Sequence, residues 1–286
     1  MQRFFSRKLS VLLCLLAFGL AAIWGIGRLL RPNSVSLPVL MYHHIAEEVP
    51  NDMTVSPARF EEQIAALTED GWHAVSIAQL IDYVDHGTPL PNKPVLITFD
   101  DGYTSNLELA APILERHGQH AVIFVIGLNA GQELYPHTGE LLSPPRFALE
   151  DAIPYLNSGV LELQSHTYDL HQLVSYGISG RDGVLPLPDE AEDDYRRTLL
   201  LDAQTQQTLF AQHLNIQLTA LAYPFGFWSE CSESLAGETG FRVTLTTQAG
   251  SNRIQEHKPQ TLRLLNRYTI TEQTTPPELL WLLGRR

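Results

Sequence analysis

The sequence predicts an α/β protein, a (β/α) barrel of about seven parallel strands preceded by one N-terminal apolar helix. Three observations predict it. Continuous apolar runs of strand length, such as KPVLITF and HAVIFVI, alternate with helical patterns, which marks parallel strands buried on both faces. These strand–helix units recur without a dinucleotide-binding glycine fingerprint, which favours a barrel over an open sheet. The polar residues with chemical potential also share one address. His43, His44, Asp100, Asp101, His166 and Tyr223 each follow a strand directly, at the end of a barrel where active sites collect.

The N-terminus reads as an address. MQRFFSRKLSVLLCLLAFGLAAIWGIGRLL starts basic and runs apolar from Leu9 to Ile26, broken only by Ser10. That approaches the ~20 residues needed to cross a hydrocarbon core, and the preceding basic residues favour a cytoplasmic N-terminus. Residues 1–31 are therefore expected to be a signal anchor. A cleaved signal peptide is the alternative, although no clean small-x-small site follows the run. Residues 32–36 are expected to be a linker and 37–286 the folded domain. The expected place is a single pass at the cell membrane with the domain outside the cytoplasm, or secretion if the segment is cleaved.

Within the domain, LPVLMYHHI (37–45) is a buried strand ending at polar residues. SPARFEEQIAALTEDG (56–71) is a helix with Ser56 as N-cap, Pro57 at its first position and Gly71 as its stop. A short strand and helix (74–87), strand 93–103 and a helix at 104–117 follow, then strand 120–126. A Gly- and Pro-rich loop covers 127–145, with a helix near 145–157 and strand VLELQSH at 160–166. An acidic segment at 189–194 leads into a long helix ending near His213. Strand 218–224, a helix near 229–239, strands 241–247 and 262–270 and a C-terminal helix complete the chain.

The formal charge is −13, and residues 1–31 hold Arg3, Arg7, Lys8, Arg28 and Arg31 with no acid, so the domain itself is more acidic still. This argues against nucleic acid as a partner and favours a neutral or cationic ligand. The two cysteines, Cys14 and Cys231, form no zinc motif, and Cys14 lies in the apolar segment. Stability must come from the core.

Asp100-Asp101-Gly102 reads equally well as a turn or as two carboxylates with different tasks, one binding a metal and one left free as a base. His166 and His171 are five positions apart, a spacing that shares a face on neither a helix nor a strand. If they act together, the chain between them bends. Two histidines and a carboxylate are a common catalytic zinc set. Zinc lowers the pKa of its water towards ~7 and so makes a nucleophile at neutral pH. Acyl hydrolysis follows as the reaction class.

TFDDGY (98–103), SHTYDLH (165–171) and AYPFG (222–226), in that order and after strands, resemble the polysaccharide deacetylase family, also known as carbohydrate esterase family 4 or the NodB-homology domain. The resemblance implies a distorted (β/α) barrel that removes acetyl groups from N-acetylated sugar polymers with a divalent metal, usually zinc. It implies Asp101, His166 and His171 as ligands, Asp100 as the base and the Phe225 N–H as an oxyanion donor. MYHHI resembles the branch acting on extracellular poly-N-acetylglucosamine, which implies His43 as the general acid; His44 reads as a polar strand-end residue. Many members carry Arg at the place of Ala222, where it orients the base; Arg267 is the candidate substitute. The four residues between the histidines, against three in the wider family, again mark the early-histidine branch. Tyr103, Tyr168, Tyr223, Phe225 and Trp228 are candidate sugar contacts, and packing explains them equally well. Rival readings are an O-acetyl esterase on cell-wall polysaccharide and an inactive, membrane-tethered glycan-binding barrel. The sequence names no protein partner.

Overall fold

The computed structural model describes residues 33–284. The apolar segment read as a signal anchor lies outside them, and among the described residues no helix is long and apolar enough to cross a membrane. Seven parallel strands form a curled half-barrel. In spatial order they are β10 (Val243–Leu245), β9 (Ala220–Ala222), β8 (Leu161–Ser165), β7 (Ala121–Val125), β6 (Pro94–Asp101), β2 (Val39–Tyr42) and β12 (Tyr268–Thr269). A single parallel bridge between Leu245 and Leu265 brings the approach to β12 back against β10. The short β5 (His73–Ala74) pairs with the first residues of β6.

Alternate residues of each strand build two cores. On the outer face Leu40, Tyr42, Ile97, Phe99, Ile123 and Val125 pack with Phe60, Ile64 and Leu67 of α1 (Pro57–Glu69). Inside, Val39, Leu96, Val122, Phe124, Ala220 and Val243 cluster with Leu80 and Val84 of α2 (Ile77–His86), which closes the foot of the barrel. Both helices start where their side chains allow: Ser56 and Ser76 accept the N–H groups of Arg59 and Gln79, three residues on. The long helix α5 (Glu192–Leu214) follows α3 (Ala111–Arg116) and α4 (Ile153–Ser158), and α6 (Glu230–Glu238) and α7 (Pro276–Gly284) complete the set.

Several boundaries differ from the sequence reading, each for a local reason. Ser34–Leu37 is strand β1, paired antiparallel with β11 (Asn252–Gln255), so the linker drawn over 32–36 reaches three residues too far into the domain. The strand expected over 37–45 breaks at His43, and β3 (His44–Ile45) pairs instead with β4 (Thr54–Val55). The helix expected over 104–117 opens with a π turn, Asn106–Ala110. The helix expected near 145–157 is a 3₁₀ turn at Leu149–Ala152 followed by α4, with Pro154 in its first turn. The strand expected over 262–270 is largely irregular, because Leu264 takes φ +54 and leaves the extended region.

Candidate active site

At the C-terminal end of the strands, backbone strain gathers the functional side chains. Asp101 ends β6 at φ +73, Thr167 follows β8 at φ +69, and Phe225 follows β9 at φ +57, all left-handed values that cost a non-glycine residue energy. In regular β6, Asp100 and Asp101 would face opposite sides, as adjacent strand residues do. The left-handed turn at Asp101 cancels that alternation. Both carboxylates instead face His166, whose Nε2 is 3.9 Å from Asp100 Oδ2 and 3.6 Å from Asp101 Oδ1. His171 Nε2 lies 3.3 Å from the same Asp101 oxygen.

Asp101, His166 and His171 offer one ligand atom each, all within 4.8 Å of one another. His166 Nδ1 donates to the Ala222 carbonyl at 2.7 Å, which leaves Nε2 as the lone-pair nitrogen facing the cluster. Burial, partly opposed by Asp101, pushes His171 down to about 4, so its ring is neutral and ligand-competent near pH 7. The test of fit is Asp101 Oδ1. This buried carboxylate oxygen has no hydrogen-bond partner, although two imidazoles converge on it. Two imidazole nitrogens and a carboxylate with an orphaned oxygen suit a divalent cation.

Asp100 is differently placed. It is 2% exposed and held by Arg267, which is wholly buried: Nη1 donates to Oδ1 at 2.7 Å and Nη2 to Oδ2 at 2.8 Å. Burial alone would raise the Asp100 pKa, but the Arg267 charge, with His166 and His43, outweighs it and holds the carboxyl below the usual range. Arg267 thus stands in for the arginine missing at Ala222. Its Nε donates to the Thr246 carbonyl at 2.8 Å, which fixes the fork. His43 follows β2 directly and is half-buried at the same end of the sheet. Its carbonyl accepts from Asn106 Nδ2 at 2.7 Å.

The remaining candidates divide. Phe225 packs its ring on His171, with centroids 4.4 Å apart. In its turn Gly226 donates to Tyr223 and Phe227 to Pro224, and among the described residues the Phe225 N–H has no acceptor. Tyr103 lines a cleft of about 440 Å³ with Asp101, His171, Tyr135, Arg146 and Tyr176. Its ring lies under the Arg146 guanidinium at 3.6 Å, so the face offered to a ligand there is the arginine's. Tyr223 is not a substrate contact. It is wholly buried in the outer core, and its hydroxyl donates to Glu233 of α6 at 2.7 Å. Trp228 is 40% exposed and stands outside the residues lining the cleft. His44 is structural, its Nδ1 2.8 Å from Ser105 Oγ, which also accepts the Ile45 N–H.

Sequence reasoning missed Ser105 and Asn106, which tie down the His43–Ile45 backbone, and Arg146, whose Nη2 is 3.9 Å from Asp101. Arg146 sits in a loop with no periodicity, so nothing local distinguishes it. Ser105 and Asn106 lie one residue beyond the DDGY motif, and that position is the one signal that could have found them.

A fold with a ligand cluster, an oriented free carboxylate and a histidine at one strand-end cleft defines a hydrolase-type site, and the comparisons give its family. The polysaccharide deacetylase family profile matches residues 87–244, over half of the chain, and the chain belongs to that family. The match stops short of both His43 and Arg267, which the fold supplies from outside it. The Bacillus subtilis protein YxkH is 27% identical over 215 residues, covering 75% of this chain and 66% of its own. The poly-beta-1,6-N-acetyl-D-glucosamine N-deacetylase of Escherichia coli is 26% identical over 228 residues, 74% of this chain but 34% of its own. The chain therefore spans just under two thirds of the first relative and about a third of the second. The structure of IcaB from Ammonifex degensii superposes with TM-score 0.71 at 26% identity, over 87% of this chain and 97% of that one.

Proposed function

We propose that the protein is a metal-dependent N-deacetylase of an extracellular N-acetylglucosamine polymer, with β-1,6-linked poly-N-acetylglucosamine the leading substrate and zinc the metal. The observation that carries it is the ligand cluster of Asp101, His166 and His171 set beside an Asp100 held ionised by Arg267. That second element separates catalysis from glycan binding alone, which requires no oriented base. The likeness to the Escherichia coli and Ammonifex degensii proteins supports the polymer class.

A divalent ion bound by the three ligands supplies Lewis acidity towards water and the acetyl carbonyl. Asp100 accepts the proton of the attacking water, and Arg267 keeps its carboxylate charged and aimed. The Phe225 N–H is free to donate to the oxyanion as it forms. His43 protonates the departing nitrogen, without which an amide leaves poorly. Tethering by residues 1–31 sets this chemistry outside the cytoplasm, where such a polymer is made accessible.

The test is acetate release from β-1,6-linked N-acetylglucosamine oligomers, chitin oligomers and peptidoglycan, with metal content measured on the same sample. Release is expected from the first, with loss on chelation and in Asp101→Ala and His166→Ala. A zinc-loaded protein that releases acetate from none of the three sinks the reading.

A further inference from the structure

The two histidine ligands lie on either side of a turn that is itself part of no helix or strand. Thr167, a β-branched residue, sits in it at φ +69. What holds the turn is bonded from two sides. From the end of β7, the Gly127 N–H donates to the Thr167 carbonyl at 3.1 Å and the Leu128 N–H to the Tyr168 carbonyl at 2.8 Å. From α5, Asp202 takes the opposite polarity: Oδ2 accepts the Tyr168 N–H at 2.9 Å and Oδ1 the Asp169 N–H at 2.8 Å. One side chain thus binds two successive amides between His166 and His171.

Asp202 has no cationic partner among the described ion pairs, so backbone N–H groups alone offset its charge. Burial pushes its carboxyl up to about 6, even against those donors. An apolar residue at this position would avoid that cost, and so the group's contribution is geometric. Gln206, one helical turn further along the same face, donates to the Val125 carbonyl at 2.9 Å and ties α5 to the end of β7. The frame is closed: β7, α5 and the turn are each bonded to the other two.

We propose that Asp202, outside the ligand set, is a positioning residue that fixes the 167–170 turn so that His166 and His171 converge on one ion. The inference rests on the metal-site reading above. It makes no contact with substrate and acts only through the backbone between the ligands.

Asp202→Asn tests it, because the amide keeps the size but turns an NH₂ group towards one of the two N–H donors. Divalent-metal affinity, measured by chelator competition on the full chain, is expected to weaken about 10–100-fold. The visible spectrum of the Co²⁺ form should change, and kcat should fall with KM for the oligomer nearly unchanged. Leu201→Ala, on the exposed face of α5, is the control and should leave affinity unchanged. If wild type binds metal and Asp202→Asn matches it in affinity and Co²⁺ spectrum, the positioning role is overturned. A wild type that binds no divalent ion overturns the ligand reading and this inference with it. Should Asp202→Asn fail to fold, amide exchange of the wild type decides: slow exchange at Tyr168 and Asp169 supports the clamp, and rapid exchange there overturns it.

Discussion

Two residues at opposite ends of the domain, His43 and Arg267, give this site its polarity. Arg267→Met leaves Asp100 buried and unpaired, which costs about 3–5 kcal/mol of stability. The sign of the pH effect follows from the balance at Asp100. Its folded pKa is depressed, so its contribution is present above the ordinary carboxylate range and is lost as pH falls through the folded value. Without the guanidinium, burial prevails and the pKa rises. The acid limb of kcat/KM should therefore move to higher pH in Arg267→Met, and an unmoved limb would count against Asp100 as base. His43→Gln should lower amide hydrolysis by about 10²–10⁴-fold, as loss of a general acid does. Hydrolysis of an O-acetyl sugar should change little, since an alkoxide leaves more readily; equal losses on both substrates would assign His43 to binding. The candidate ligand cluster was legible because Asp101, His166 and His171 sit in short local motifs. Arg267 was legible only as a guess, since its pairing with Asp100 depends on barrel curvature. Tyr223 was misread because sequence locates a strand end but not the face its side chain takes.

At the scale of elements, the strands that were read well are those whose apolar runs are long. β6 and β7 are buried along their whole length, and burial on both faces writes itself into sequence as an unbroken run. The β1–β11 pair was missed because each strand has only four residues and its partner lies over 200 residues away. The loop of 127–145 was recognised as a loop, but its role as a cleft wall comes from tertiary packing of Tyr135 and Leu142, with Arg146 just beyond it. Its first residue is the tightest point of the frame. A Cβ on Gly127 would lie 1.9 Å from Gln206 Oε1 and 2.8 Å from the Tyr168 ring. Both neighbours are side chains of the scaffold that holds the ligand turn, so the methyl presses on that scaffold. Gly127→Ala should destabilise the domain by about 1–3 kcal/mol, the range for overpacking, and should also weaken metal binding. Loss of stability with metal affinity intact would mean that the strain is absorbed in α5 alone.

For the whole molecule, the decisive boundary is where the folded domain begins. β1 carries Leu37, which is wholly buried, and Val35, which packs against the inner core beside Ile254 of β11. The strand closes the foot of the barrel, at the end away from the catalytic cleft. The contacts just named all lie within the described residues 33–284, so a chain starting at Asn33 should keep them and unfold at the same temperature as the full protein. It should also release acetate from soluble oligomers at the same rate. Removing residues 1–37 uncovers Ile254 and deletes Leu37, whose burial alone is worth about 2 kcal/mol, and it strips β11 of its partner. That chain should melt well below the other two, or fail to accumulate. The same pair of truncations tests the proposed anchor, which predicts that the full protein is found in the membrane fraction and that the chain starting at Asn33 is not. Membrane association that persists without residues 1–32 would place the tether elsewhere, and a product of the full chain found free in the periplasm or medium and shortened at its N-terminus would favour a cleaved signal.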